Sequence, residues 1–217
     1  NTKGIVFYLK GNTKSIKGWG KFAIDFTRLN YDVIMLDYRG FGKSTGKRTS
    51  DGLKYDIQFV YNLVKQQVPE ERIIVYGRSI GTGFASMLAA NNNPRLLILN
   101  SPIYSLERAV NRYLPWIPAK YFVRFNLPTY KYLRKVHCPI KIIHGSDDRL
   151  VPVKTAIELS EIQPENTRLY IILKAGHVDV HKFKEYHKVL DEIFEDIEEP
   201  EREINYQHTS LNINHRN

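Results

Sequence analysis

Ser79 sits between two glycines in Gly77-Arg78-Ser79-Ile80-Gly81, directly after the apolar run Ile73-Ile74-Val75-Tyr76. A serine hydroxyl attacks acyl groups when a histidine takes its proton and an acid orients that histidine. The G-x-S-x-G spacing puts the serine on a sharp turn between strand and helix. There the backbone is strained, and side chains two residues to either side would collide; glycine has none. The small, apolar segment 80–90 reads as the helix that follows. Its first amides lie beside the serine, where oxyanion charge develops. Two later stretches carry the partners. "IIHGSDDRLVP" supplies an aspartate near 148, and "LKAGHVDVH" supplies His177. The order serine, acid, histidine is the one a strand–turn–helix nucleophile uses. The competing reading is a turn serine without chemistry, and three motifs in the right order weigh against it.

Such residues need a frame that brings distant loops together. Six apolar runs recur, at 5–9, 33–36, 73–76, 96–99, 140–143 and 169–173. Most are continuous rather than alternating, as strands are when a parallel sheet is covered on both faces. Amphipathic, helix-length segments lie between and after them, at 17–29, 51–68, 80–90, 153–162 and 178–197. Alternating strands and helices predict a parallel sheet with right-handed crossovers. Each candidate residue then follows the carboxyl end of a strand, where doubly wound sheets collect their ligands. Segment 105–135 interrupts this rhythm; it carries Pro115, Pro118 and Pro128 and is expected as a short helical cap over the sheet's edge. The expected organisation is one domain over 1–200 and a polar tail over 201–217.

The 217 residues are 42% hydrophobic and 25% charged, enough for one domain with a core. No apolar stretch reaches the length of a membrane span, and no signal peptide is recognisable. The chain starts at Asn1 directly before a strand-like run and reads as a fragment. Cytoplasmic placement and membrane attachment through an upstream segment both stay open. The lone Cys138 excludes an internal disulfide. A net charge of +9 invites a nucleic-acid reading, but the basic residues are scattered and no recognition signature accompanies them. A preference for anionic surfaces is the milder inference.

Taken together, "FYLKGN", "LDYRGFGKSTG", "GRSIG", "HGSDDRLVP" and "AGH" resemble the α/β-hydrolases, in the serine esterase/aminopeptidase-like branch that includes depalmitoylase-like serine hydrolases. The resemblance runs over residues 3–198 and implies an α/β-hydrolase fold that is truncated at its N-terminus. In the family pattern H-G-x-x-D-x-x-V-P the acid is the fifth residue, which is Asp148. Asp147 is rejected, because two neighbours on a turn cannot both face the histidine; it reads as a turn former. The resemblance makes Ser79 the nucleophile, His177 the base, and the backbone N–H groups of Asn12 and Ile80 the oxyanion donors. It requires no cofactor and no metal. Lys10 stands where the family has histidine before Gly11, a departure that touches the oxyanion loop and introduces a cation. Asp37, Arg39 and Gly40 read as structural.

Several residues carry rival readings. His177, Asp179 and His181 form H-V-D-V-H, whose two histidines could share a metal on a helix face, but no H-E-x-x-H motif is present. Asp179 and His181 are expected at a helix start on a solvated face, His144 packed in the sheet, and Cys138 inert at a strand entrance. The expected activity is hydrolysis of acyl esters or thioesters of a small-molecule substrate. An amidase or aminopeptidase-type hydrolase and a non-catalytic α/β-hydrolase-fold binding protein are the alternatives. The motive for an acyl substrate is the insertion. Tyr104, Tyr113, Trp116, Tyr121, Phe122, Phe125 and Tyr130 alternate there with basic residues, and Glu107 is its one acid. Aromatic walls suit an acyl chain, a basic rim suits an anionic membrane surface, and recognition of a free amino terminus would want more acid. Oligomeric state is not legible.

Overall fold

The computed structural model describes residues 2–13, 15–113 and 127–198. Six strands form one sheet: β1 (Gly4–Leu9), β2 (Tyr31–Met35), β3 (Ile73–Arg78), β4 (Leu96–Asn100), β5 (Ile140–Gly145) and β6 (Thr167–Ile172). Their order is β2-β1-β3-β4-β5-β6, and every pairing is parallel. Both faces are covered, which is why the strands read as unbroken apolar runs. In β1, Phe7 and Leu9 join Leu53, Ile57 and Phe84 on one face. Val6 and Tyr8 join Phe26, Tyr76 and Leu190 on the other.

The first face carries α3 (Ser50–Lys65), α4 (Gly81–Asn91), α6 (Thr129–Leu133) and α7 (Val153–Ser160). The second carries α2 (Ile24–Thr27) and α8 (Lys184–Asp196). Helix α3 starts where its sequence provides a cap: the Thr49 hydroxyl accepts from the Gly52 amide at 3.2 Å. Expected and observed elements differ in two places. Segment 17–29 is not one helix; it breaks into α1 (Ile16–Trp19), a 3₁₀ turn (Gly20–Ala23) and α2. Gly18 and Gly20 weaken a helix there by roughly 1 kcal/mol each. Segment 178–197 is helical only from Lys184, after a 3₁₀ turn at Val180–Lys182.

The described parts of the insertion include α5 (Leu106–Tyr113), α6 and the residue before α6's cap, Leu127. Leu127 packs on α4: a Cβ on Gly83 would lie 3.0 Å from its Cβ. The small residues of α4 allow that approach, so Leu127 settles beside the serine's own helix. Trp116, Tyr121, Phe122 and Phe125, the Tyr113 side chain and the tail 201–217 lie outside the described residues.

Candidate active site

Strand β3 ends in a turn that the two glycines make sterically feasible. Ser79 has φ +54°, the left-handed region that side chains other than glycine's rarely adopt. A Cβ on Gly77 would approach Gly81 O, Thr82 Cα and the Ala85 Cβ to 2.7 Å. A Cβ on Gly81 would lie 2.1 Å from Leu9 O and 2.8 Å from Lys10 O. The strained serine is held from both sides. Its amide donates to Asn100 O at 2.9 Å, and its carbonyl accepts from the Thr82 hydroxyl at 2.5 Å.

The structure brings the other two predicted side chains to this serine. His177 Nε2 lies 2.9 Å from Ser79 Oγ, and His177 Nδ1 lies 2.7 Å from Asp148 Oδ2. Oδ1 of Asp148 accepts from the amides of Leu150 (2.9 Å) and Val151 (2.8 Å). Burial opposes ionisation of this carboxyl, yet donors from His144, His177 and the Val151 amide outweigh it. They hold Asp148 well below the usual carboxylate range. A carboxylate can only accept, so Nδ1 of His177 carries the proton and Nε2 presents its lone pair to the Ser79 hydroxyl. Asp147 turns away and accepts from the Ser146 hydroxyl at 2.7 Å.

The loop holding Asn12 passes beside the serine: a Cβ on Gly11 would lie 3.6 Å from Ser79 Cβ. Ile80 is the N-cap residue of α4, so its amide lies at the helix's positive end. Lys10 is fully buried, and its ammonium turns to Asp37 (3.8 Å) and to the ring faces of Tyr38 (4.8 Å) and Phe41 (4.6 Å). Asp37 and Arg39 hold neighbouring loops: Asp37 Oδ1 accepts from the Ile16 amide, and Arg39 forms a two-pronged pair with Asp56 at 2.6 Å.

Two side chains of the site escape the sequence reading. His144 does pack within β5 and is fully buried, but its Nε2 stands 3.2 Å from Asp148 Oδ2 and 2.8 Å from Val151 O. Both are acceptors, so Nε2 carries a proton and Asp148 receives a fourth donor. The available signal is a histidine inside an apolar strand four residues before the acid, since a buried polar ring needs a partner. Arg78 is only 5% exposed, and its Nη2 donates to Val178 O, next to His177, at 3.0 Å. Its guanidinium lies against Phe22 (4.7 Å) and Trp19 (5.5 Å). A charge at the end of an apolar strand is the signal that would flag it.

His181 is likewise not on a solvated face. Its Nδ1 lies 3.5 Å from Arg78 Nη2 and its ring meets Phe22 edge-on. Burial, then the charges of Arg78, Lys21 and Lys182, push it down to about 4, so it is neutral at pH 7. Asp179 accepts from the Gly176 amide at 2.8 Å and fixes the turn that carries His177. The three residues of the H-V-D-V-H stretch thus face different partners. Among the described residues no group of three or more His, Cys, Asp or Glu is placed to hold a metal. Burial pushes the Cys138 thiol up to about 12, so it offers no thiolate.

Residues 1–133 match the family model described as serine aminopeptidase, S33. The human alpha/beta hydrolase domain-containing protein 17B is 30% identical over 190 residues, covering 86% of this chain and 64% of its own. The zebrafish lysophosphatidylserine lipase ABHD12 is 26% identical over 185 residues, covering 76% and 48%. The chain thus spans about half to two thirds of the length of these relatives. The Pyrococcus furiosus esterase Pf2001 superposes with a TM-score of 0.70 at 23% identity, over 90% of this chain and 82% of that one. The fold agrees with that likeness, and the family model covers more than half of the sequence: the chain belongs to the S33 serine aminopeptidase family of α/β-hydrolases.

Proposed function

We propose that the protein is a serine hydrolase that cleaves acyl esters or thioesters through an acyl-enzyme. One observation carries the reading: Ser79 Oγ, both ring nitrogens of His177 and a buried Asp148 carboxylate stand in one hydrogen-bonded line. Ser79 Oγ attacks the carbonyl carbon while Nε2 of His177 takes its proton. The amides of Asn12 and Ile80 hold the oxyanion. Collapse of the tetrahedral adduct expels the alcohol or thiol, which receives the proton from Nε2. Water then repeats the sequence on the acyl-enzyme and releases the acid. No step calls for a metal or cofactor.

Esters and thioesters are favoured over amides on charge. Recognition of a free amino terminus calls for acidic groups beside the site, whereas the described part of the insertion carries basic residues and the single acid Glu107. The names of the zebrafish lipase and the archaeal esterase point the same way, and the family's own description keeps an aminopeptidase as the second reading. A positive balance also favours an anionic lipid surface as the place of work. The test is a fluorophosphonate probe together with a short p-nitrophenyl ester. Wild-type protein is expected to label and turn over, and Ser79→Ala to lose both by several orders of magnitude. Turnover surviving that change, or folded wild type that refuses the probe, sinks the assignment. Faster turnover of aminoacyl amides than of acyl esters selects the peptidase.

A further inference from the structure

A cavity of about 190 Å³ lies between α5 and the loop that runs from β5 into α7. Its described lining combines apolar Ile103, Leu150 and Val151 with three cations, Arg108, Arg112 and Lys154, and contains no acid. Its walls are tied to both halves of the candidate active site. The Val151 amide donates to Asp148 Oδ1, and the Ile103 amide donates to the Thr82 hydroxyl, which in turn donates to Ser79 O.

The cations are not equivalent. Arg108 forms a two-pronged pair with Glu158, one arm at 3.1 Å, and lies over the Tyr104 ring. Glu158 therefore neutralises Arg108. Among the described residues Arg112 and Lys154 have no salt bridge, and both are exposed at the rim, although Glu158 also feels the charge of Lys154. Three positive charges against one negative leave the cavity cationic. Its volume is below the roughly 300–1,000 Å³ of pockets that enclose a drug-sized ligand. A small anionic head group fits that size, and a whole acyl chain does not. A guanidinium and an ammonium at one rim match phosphate oxygens.

We propose that this cavity is an anion subsite that holds a phosphate carried by the non-reacting half of the ester substrate. This rests on the hydrolase reading above and adds a substrate class to it: acyl esters whose leaving alcohol bears a phosphate. The cavity's contacts to the Asp148 and Ser79 turns then seat the phosphate beside the scissile bond, while the acyl chain lies elsewhere.

The experiment compares hexanoyl glycerol 3-phosphate with hexanoyl glycerol, both below their micellar concentrations, on wild type, on Arg112→Gln/Lys154→Gln, and on Lys188→Gln. Lys188 is an exposed cation of α8, outside the cavity lining. The expected result is a kcat/KM ratio of phosphorylated over neutral ester of about ten to a hundred in wild type. That ratio collapses toward one in the double variant and survives in Lys188→Gln. A wild-type ratio of one or less overturns the proposal, as does a ratio that the double variant keeps. A preference seen only with long-chain micellar esters also overturns it, because a charged lipid surface and not the cavity is then recognised. Calorimetric titration with inorganic phosphate separates the two readings should neither ester be cleaved. Phosphate binding lost in the double variant retains the anion site while the hydrolase reading falls. No binding to wild type removes the site as well.

Discussion

Asp148→Asn removes one charge and almost no volume, and its consequences follow from four donors. The carboxylate receives the Leu150 and Val151 amides on Oδ1 and faces His177 Nδ1 and His144 Nε2 with Oδ2. Asparagine has one oxygen. Two fixed backbone amides claim it, so the NH₂ group occupies the Oδ2 position. A donor there forces His177 to accept at Nδ1 and to carry its proton on Nε2, the nitrogen 2.9 Å from Ser79 Oγ. The lone pair that would take the serine proton is then gone. The expected loss in kcat is about 10⁴-fold, some 5 kcal/mol of transition-state stabilisation. His144 meets the same NH₂ with its own N–H, so one donor goes unpaired, at about 1–3 kcal/mol of stability. Ester turnover and thermal unfolding measure the two effects separately. Asp147→Asn is the control: its carboxylate meets Ser146, and activity within about twofold of wild type is expected. Asp148→Asn retaining more than a tenth of wild-type activity, or Asp147→Asn losing more than Asp148→Asn, refutes the assignment of the acid.

Three further outcomes test the surroundings of the serine. Gly81→Ala puts a Cβ 2.1 Å from Leu9 O, so β1 and the turn after it must move by more than 1 Å relative to Ser79; kcat/KM falls by about 10²-fold in an ester assay. Arg78→Met keeps an apolar stem against Trp19 and Phe22 but deletes the donor to Val178 O. About tenfold of kcat is lost with KM little changed, and a titration by NMR shows His181 rising from about 4, since Arg78 no longer repels its proton. The pH dependence of wild-type stability follows the same histidine. Its folded pKa lies below the unfolded value near 6.5, so the unfolded chain takes the proton first. Stability from His181 is present above pH 6.5 and lost as pH falls toward about 4; denaturant titrations of His181→Phe show a flatter slope across that window.

The sheet was legible because two buried faces leave a local trace. A strand with apolar packing on both sides has no polar position, so β1, β3 and β4 announce themselves within a few residues. The helices were less so, since propensity and periodicity are blind to what a loop is needed for. The stretch after His177 has helical periodicity from Val178 onward, yet Asp179 spends its side chain and carbonyl holding a turn: Oδ1 takes the Gly176 amide and the carbonyl takes the Lys182 amide at 2.7 Å. That turn aims His177, and the helix waits until Lys184. The seat of Leu127 was illegible for a similar reason. Proline breaks and amphipathic pieces say that a segment is irregular and partly buried, but Leu127 found its place through the missing side chain of Gly83 on another helix.

The candidate site divides along the same line. Ser79, His177 and an aspartate near 148 could be named because each sits in a local motif whose glycine or proline neighbours record a backbone requirement, and the family pattern picks Asp148 from its neighbour Asp147. His144 and Arg78 sit in the same motifs, but periodicity shows neither how the turn after β5 folds back on His144 nor that Arg78 meets the loop after His177. His144 Nε2 stands 3.2 Å from the acid four residues on, across the turn that the Leu150 and Val151 amides close on Asp148. Arg78 matters through Val178, a hundred residues away in sequence and 3.0 Å away in space. Lys10 runs the other way, a departure that looked consequential and is absorbed. Its ammonium is turned into a cage of Asp37, Tyr38 and Phe41, while main-chain contacts set its turn: Tyr38 donates to Lys10 O at 2.8 Å, and Gly81 packs against the same oxygen. A side chain that supports a loop through its backbone is exchangeable, whereas a glycine that lets two backbones meet is not. By that argument Gly81, and not Lys10, is where the geometry of the turn after β1 is decided.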